Sequence, residues 1–295
     1  MTPVVAAASG PTVATILRGV EARLGAAGLP TARQDAELLL ARVLGTTRLG
    51  LYTDGRAVVS GPRQGEIETL VARRLRHEPV QYLVGEAEFC GLRLELGPGV
   101  FIPRPETEAL VDRAIALGPP GRATILELCA GSGAIACALA TRRLDWTVWA
   151  VERAAAAAEC ARANVRRLGL EARVHVRQGD LFAPLRDVVA AGAADLIVAN
   201  PPYLATPILP TLPAEVRVWE PREALDGGAD GLDVVRRLLA EAAHWLRPGG
   251  GLLVEIGEEQ GPTLRALVAT DGRYAEARVL RDFRGRERVL EARRR

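Results

Sequence analysis

From Glu106 onward the chain alternates short apolar, β-branched runs with stretches of helical period, and this alternation constrains the fold more than any other feature. The runs are Thr124–Leu128, Thr147–Glu152, Arg173–Arg177, Asp195–Ala199, Gly251–Ile256, Glu276–Leu280 and Arg288–Ala292, with a helix predicted from Glu106 to Leu117 ahead of them. Parallel neighbours need a crossover, and a helix that makes the crossover must bury its apolar stripe on the sheet. The pattern therefore predicts an α/β fold with a doubly wound, mostly parallel sheet. Its last two strands lie close enough in sequence to pair antiparallel at one edge.

Ahead of this region the period is helical throughout. Ile16, Leu17, Val20 and Leu24, then Leu38, Leu39, Val43 and Leu44, then Ile67, Leu70, Val71 and Leu75 recur at spacings of three and four, and Thr12 and Thr31 stand at N-cap positions. We read residues 1–80 as a small helical domain, residues 81–105 as a connector containing a β-hairpin (Leu92, Leu94 and Leu96 alternate around glycines), and residues 106–295 as the sheet domain. Arg73, Arg74 and Arg76 on the last helix read as a solvated face, with contact to an acidic partner as the minority reading. The opening MTPVVAAASGPT lacks a basic segment and reads as an unstructured lead rather than a signal peptide.

Composition excludes several classes of function. A formal charge of +2, from 38 basic and 36 acidic residues, gives no global field for nucleic acid or an anionic membrane. No apolar run approaches the roughly 20 residues of a membrane span. Four cysteines without a C-x-x-C pair and three scattered histidines argue against a metal centre or a disulfide framework, and suit a reducing cytoplasm.

In an open α/β sheet, ligands bind beyond the carboxyl ends of the strands near the switch in strand order. The first strand runs into Glu127-Leu128-Cys129-Ala130-Gly131-Ser132-Gly133, a tight glycine turn that lets backbone approach a ligand closely. The second ends at Glu152, about 20 residues further on, where a carboxylate can accept from two ribose hydroxyls. A nucleoside cofactor is expected, and the missing G-x-G-x-x-G leaves a dinucleotide pyrophosphate without its usual cradle. Gly179-Asp180-Leu181-Phe182 after the third strand places Asp180 and Leu181 beside the adenine.

The fourth strand runs into Asn200-Pro201-Pro202-Tyr203, the most specific signal in the chain. Two prolines fix the backbone and remove N–H donors, which leaves carbonyls to accept. The Asn200 side-chain oxygen and the Pro201 carbonyl are each suited to take one hydrogen of a planar –NH2 group, and Tyr203 to pack on its flat face. An amide nitrogen is a weak nucleophile because its lone pair is delocalised, so methylating it requires orientation more than a strong base. The expected donor is S-adenosylmethionine. No Ser/His/Asp set and no activated cysteine competes as a catalytic centre.

With these residues in view, the chain resembles the HemK/PrmC family of glutamine N5-methyltransferases, which modify the Gly-Gly-Gln loop of class I peptide chain release factors. The resemblance spans nearly the whole chain. It rests on Pro79-Val-Gln-Tyr-Leu-Val-Gly85, Glu88-Phe89, Phe101-Ile-Pro-Arg-Pro-Glu-Thr-Glu108, the Gly131-Ser-Gly133 turn, the Asn-Pro-Pro-Tyr tetrad, Glu220-Pro-Arg-Glu-Ala-Leu225, Gly227-Gly228, Asp230-Gly231-Leu232 and Pro248-Gly249-Gly250. It implies a Rossmann-like class I methyltransferase sheet, with S-adenosylmethionine held by Glu127, Cys129, Ala130, Gly131, Ser132, Gly133, Glu152, Asp180, Leu181 and Asn200. It implies glutamine handling by Asn200, Pro201, Pro202 and Tyr203, with Phe101, Pro103, Arg104 and Glu106 lining the approach, and substrate recognition by the helical domain. Release factors are the implied partners, with a monomer and no stable nucleic-acid or membrane binding expected.

Three positions depart from the family pattern. Cys129 replaces a glycine and would be strained if that position needs φ > 0, Glu152 replaces the usual Asp, and Leu181 stands where an aromatic is frequent. The tetrad is shared with adenine-N6 DNA methyltransferases and ribosomal-protein glutamine methyltransferases, which remain the rival enzymatic readings. A degenerate, non-catalytic methyltransferase fold is the third.

Overall fold

The computed structural model describes residues 10–282 and 284–295. The expected unstructured lead falls largely on residues 1–9, outside the described residues. The chain divides into two compact units, one ending at Gly85 and one running from Glu86 to Arg295.

The first unit is helical: α1 (Val13–Ala26), α2 (Ala32–Leu44), α3 (Arg48–Thr53), α4 (Gly61–Arg74) and α5 (Val80–Val84). Leu17, Val20 and Leu24 of α1, Leu39 and Leu40 of α2, and Ile67 and Val71 of α4 share one buried cluster, as the three- and four-residue spacings require. The Thr12 hydroxyl accepts from the Thr15 N–H and caps α1. Thr31 does not cap α2 in this way. Its ψ of 20° lies outside the extended region a capping residue needs, and its hydroxyl donates instead to Asp35.

The reading of Arg73, Arg74 and Arg76 as one solvated face is corrected at Arg74. Its side chain is 2% exposed and its Nε donates to Asp35 Oδ2 at 2.7 Å. Helix α4 packs against α2, so this arginine faces an acidic residue of the neighbouring helix instead of water.

The second unit opens with a hairpin of β1 (Glu86–Phe89) and β2 (Leu92–Glu95), turned by Cys90 and Gly91. Both turn residues have positive φ (50° and 75°), the geometry a two-residue hairpin turn demands. Phe89 and Leu94 are buried with residues of the sheet domain, so the hairpin belongs to that core. A 3₁₀ turn at Pro105–Thr107 leads into α6 (Glu108–Leu117).

The sheet then follows: β3 (Ala123–Leu128), α7 (Ala134–Arg142), β4 (Trp146–Glu152), α8 (Ala155–Arg167), β5 (Val174–Gln178), β6 (Ala194–Ala199), α9 (Ala214–Trp219), α10 (Asp233–Trp245), β7 (Leu246–Glu255), α11 (Gly261–Thr270), β8 (Tyr274–Arg281) and β9 (Glu287–Arg294). Its order is β5-β4-β3-β6-β7-β9-β8, parallel from β5 through β7. The last two strands pair antiparallel as expected, and β9 enters between β7 and β8. Alternate strand residues feed two cores: Leu126, Leu128 and Ile197 pack with α10 and α11, and Ile125, Leu196 and Val198 pack with α6 and α7. The switch point lies at β3, whose neighbours β4 and β6 connect in opposite directions, and the ends of these strands open on one cleft.

Candidate active site

The cleft has a volume of about 300 Å³, in the range of small-molecule sites. One wall is the turn after β3. Cys129 and Gly131 both lie in the left-handed region (φ 59° and 55°), so this turn requires positive φ at a position occupied by a residue with a side chain. A Cβ added at Gly131 would meet nothing within 4 Å, which leaves the backbone face open to the cleft. Gly133 has a different purpose. Its added Cβ would lie 3.0 Å from the Ala161 side chain, so it admits close packing of α8 and does not line the cleft.

Glu152 closes the turn from the neighbouring strand. Its two oxygens accept from the Gly131 N–H at 2.8 Å and the Ala154 N–H at 2.7 Å. Each oxygen keeps a further lone pair, which suits a ribose diol. Leu181 lines the cleft at φ 45°, a second strained side chain at the site, while Phe182 turns inward and stacks on Trp245 at 5.6 Å. Asp180 lines the cleft and pairs with Arg237 of α10.

Glu127 does not reach the cleft. It is fully buried beneath the turn, its Oε2 accepts from the Ala136 N–H at 2.9 Å, and its Oε1 has no partner among the described residues. Burial first, and Glu152 nearby, push its carboxyl up to about 8. Cys129 is held as the neutral thiol, pushed up to about 12 by burial and then by Glu152, so it is no nucleophile.

Asn200 through Tyr203 line the opposite wall. The Asn200 amide group donates to Thr107 Oγ1 at 3.2 Å, which leaves its oxygen for a donor in the cleft. The Tyr203 hydroxyl donates to Glu255 Oε1 at 3.3 Å, and burial followed by this carboxylate raises the phenol well above its ordinary range. The Tyr203 carbonyl accepts from Gln260 Nε2 at 2.9 Å. Two glycines permit the path: a Cβ at Gly231 would lie 2.2 Å from the Tyr203 oxygen, and one at Gly227 2.7 Å from the Pro202 oxygen.

The Pro103–Glu108 segment joins the parts of this unit. Arg104 pairs with Glu220 and stacks over Phe101 at 5.0 Å, while the Glu220 carboxylate also accepts from the Ile102 N–H at 3.2 Å. Thr107 meets Asn200, and Glu108 accepts from the Cys90 N–H of the hairpin at 2.8 Å. Phe101, Pro103 and Arg104 line the cleft. Glu106 does not. It lies 3.5 Å from Arg286, drawn toward the β8–β9 turn by that charge.

The structure thus gathers Cys129–Ser132, Glu152, Asp180, Leu181, Asn200–Tyr203, Phe101, Pro103 and Arg104 around one cavity. Sequence reading missed Thr107, Glu255 and Gln260 as site residues. The available signal was positional for Glu255, which ends the strand beside β6 as Glu152 ends the strand beside β3.

An open backbone face at Gly131, a strand-end carboxylate with spare lone pairs and an acceptor wall opposite suit a bound sulfonium nucleoside. They define the class of S-adenosylmethionine-dependent methyltransferases. When bound, S-adenosylmethionine supplies an electrophilic methyl on a cationic sulfur. Among solved structures, a methyltransferase from Pyrococcus furiosus is similar at TM-score 0.51 and 22% identity, covering 69% of this chain and 89% of its own. A 16S rRNA methyltransferase from T. thermophilus, solved with AdoMet and guanosine, is similar at 0.51 and 22%, covering 71% and 50%. These likenesses establish the fold.

Residues 15–85 match the PrmC N-terminal domain and residues 107–208 the methyltransferase small domain. The chain is 42% identical over 258 residues to a release factor glutamine methyltransferase of Gloeobacter violaceus, covering 87% of this chain and 88% of the relative. It is 43% identical over 274 residues to one of Moorella thermoacetica, covering 92% and 95%. It belongs to the release factor glutamine methyltransferase family.

Proposed function

We propose that this site transfers a methyl group from S-adenosylmethionine to N5 of the glutamine in the Gly-Gly-Gln loop of class I release factors. The observation that carries the reading is the Asn200 amide, which lines the cleft and gives an N–H to Thr107, so that its oxygen is available as an acceptor. With the Pro201 carbonyl beside it, the wall takes both hydrogens of a substrate carboxamide and fixes its plane. Both acceptors draw electron density toward the nitrogen, and orientation supplies the remainder of the rate. Tyr203 flanks that plane. Its phenol is held protonated, so the ring positions the amide and removes no proton. No general base among the described residues is assigned to the nitrogen; once methylation has raised its acidity, the amide proton passes to solvent water.

Glu152 and Asp180 hold the ribose and adenine ends of the cofactor, and the 129–132 turn its amino-acid end. The helical unit takes the role of substrate recognition, the enzyme acts as a monomer, and no stable nucleic-acid complex forms. No helix among the described residues is long and apolar enough to cross a membrane, and we assign the protein to the cytoplasm with its substrate.

The test is incubation with labelled S-adenosylmethionine and a class I release factor, with DNA in a parallel arm, followed by mapping of the label. Label on the loop glutamine, lost in Asn200→Ala while circular dichroism and the thermal midpoint show the fold intact, is the expected result. Label on DNA, or transfer by Asn200→Ala at the parent rate, would overturn the reading.

A further inference from the structure

We infer that Asn164 is a positioning residue of the cofactor turn, tying it through one buried side chain to the segment that leads into the substrate wall. The inference rests on the placement of S-adenosylmethionine at the 129–132 turn.

Asn164 stands where the pattern of α8 asks for an apolar residue. Ala157, Ala158, Ala161 and Val165 form the buried stripe of this helix, and Asn164 falls on the same stripe with 0% exposure. A carboxamide buried there is costly unless its polar atoms are paired. Here they are. Oδ1 accepts from the Glu95 N–H at 2.6 Å, while Nδ2 donates to the Glu95 carbonyl at 3.1 Å and to the Ser132 carbonyl at 3.0 Å. The surroundings also fix which way the amide points. Two carbonyls face its nitrogen and one N–H faces its oxygen, so a flipped amide would set like against like at all three contacts.

The Ser132 contact bears on the cofactor. Ser132 lies between Gly131 and Gly133 in the turn and lines the cleft. Both glycines have positive φ (55° and 75°), and a residue without a Cβ lets the adjoining peptide plane rotate at little cost. The plane between Ser132 and Gly133 is nevertheless held at both ends. Its N–H donates to the Ala130 carbonyl at 2.8 Å, and its C=O accepts from Asn164. Gly133 brings that donor within reach, because its missing Cβ admits Ala161, and Asn164 lies three residues further along the same face of α8. With this plane fixed, the turn presents one arrangement to the cleft before a cofactor arrives, which lowers the ordering cost of binding.

The Glu95 contacts reach the other wall. Glu95 ends β2, and four residues on, Gly99 lines the cleft, followed by Phe101, Pro103 and Arg104. One amide therefore holds the cofactor turn and the root of the substrate wall together.

The experiment reads affinity for S-adenosylmethionine by calorimetry in the full chain, at a temperature well below the thermal midpoint of each variant. Asn164→Asp keeps an oxygen for the Glu95 N–H and sets another against the Ser132 carbonyl. It is expected to weaken cofactor binding by roughly ten- to a hundredfold, the scale of a buried carbonyl left unpaired. Cys160→Ala is the comparison. It removes a second donor to the Glu95 carbonyl, the thiol at 3.2 Å, and leaves the Ser132 contact in place, so affinity should stay within about twofold of the parent. In the parent chain, S-adenosylmethionine is expected to slow hydrogen exchange of the Glu95 amide, followed by NMR, because an ordered turn secures the side chain that holds that amide. This arm decides the matter should Asn164→Asp not fold. The inference is overturned if folded Asn164→Asp binds S-adenosylmethionine with the parent affinity, if Cys160→Ala weakens binding as much as Asn164→Asp, or if exchange at Glu95 is indifferent to the cofactor. A parent chain that binds no S-adenosylmethionine counts against the placement of the cofactor, and one that binds it without methylating the release factor counts against the proposed function.

Discussion

At the scale of single residues, the site stands on backbone that most side chains avoid. Cys129 and Leu181 are both left-handed and both face the cleft. Such a conformation costs a residue with a Cβ about 1 kcal/mol or more, and a β-branched one further still. Cys129→Gly is therefore expected to keep stability and cofactor affinity near those of the parent, with the relieved strain offsetting the lost packing, whereas Cys129→Val loses both. Thermal unfolding and calorimetry on the pair check this, and a valine variant as stable as the glycine variant would contradict it. Gly231 is constrained twice, by a φ of 77° and by the Tyr203 carbonyl, 2.2 Å from where a Cβ would sit. Gly231→Ala must displace the backbone of the tetrad, so methyl transfer should fall by more than about tenfold while the cofactor still binds. Calorimetry beside initial rates reads the two separately.

At the scale of elements, the loop ends of β3, β4, β6 and β7 work as a set, and Glu127 shows what the set demands of its interior. This carboxyl sits between β3 and the start of α7, where its Oε2 accepts from the Ala136 N–H. Burial raises its folded-state value to about 8 from an ordinary value of 4.5. Across that interval the folded chain keeps a proton that the unfolded chain has released, so stability declines as pH rises from about 4.5 to about 8 and is level outside it. Glu127→Gln retains the acceptor for Ala136 and removes the titration. Its advantage over the parent in thermal midpoint should therefore grow from pH 5 to pH 8. A difference that stays constant across that range would show that Glu127 ionises normally.

The same scale shows how much of the site was legible beforehand. Periodicity and strand-end position located the glycine turn, Glu152 and the tetrad, because each lies next to the strand that carries it. Glu127 and Gly133 belong to the same turn motif, yet one packs beneath it and the other against α8. Sequence adjacency does not say which side of a turn a residue faces. Glu106, among the expected approach residues, is drawn to Arg286, a partner far along the chain that no local pattern reveals.

For the molecule as a whole, two units carry separate hydrophobic clusters. The helical unit contains the buried pair Arg74–Asp35, both side chains 2% exposed. Removing Asp35 takes a carboxylate away from the buried Arg74 guanidinium, which still donates to the Glu78 carbonyl at 3.1 Å, at a cost of about 3 kcal/mol. Asp35→Ala is accordingly expected to lower the unfolding midpoint of the helical unit while calorimetric cofactor binding by the sheet unit is unchanged. Loss of cofactor binding in step with the helical unit would show that the two fold as one.

The sequence by itself determined the doubly wound sheet, the end of it where the cleft lies, and the residues of the turn and tetrad that line it, because side-chain period and strand-end position are local properties. Only the tertiary structure decided that β9 enters between β7 and β8, and that Arg74 is buried. It alone decided that Thr107 meets Asn200 from 93 positions away and that Glu255 stands behind the tetrad. Those outcomes depend on strand order and on how elements pack across the sheet. A periodic pattern states which face of an element is buried, but not what lies against it.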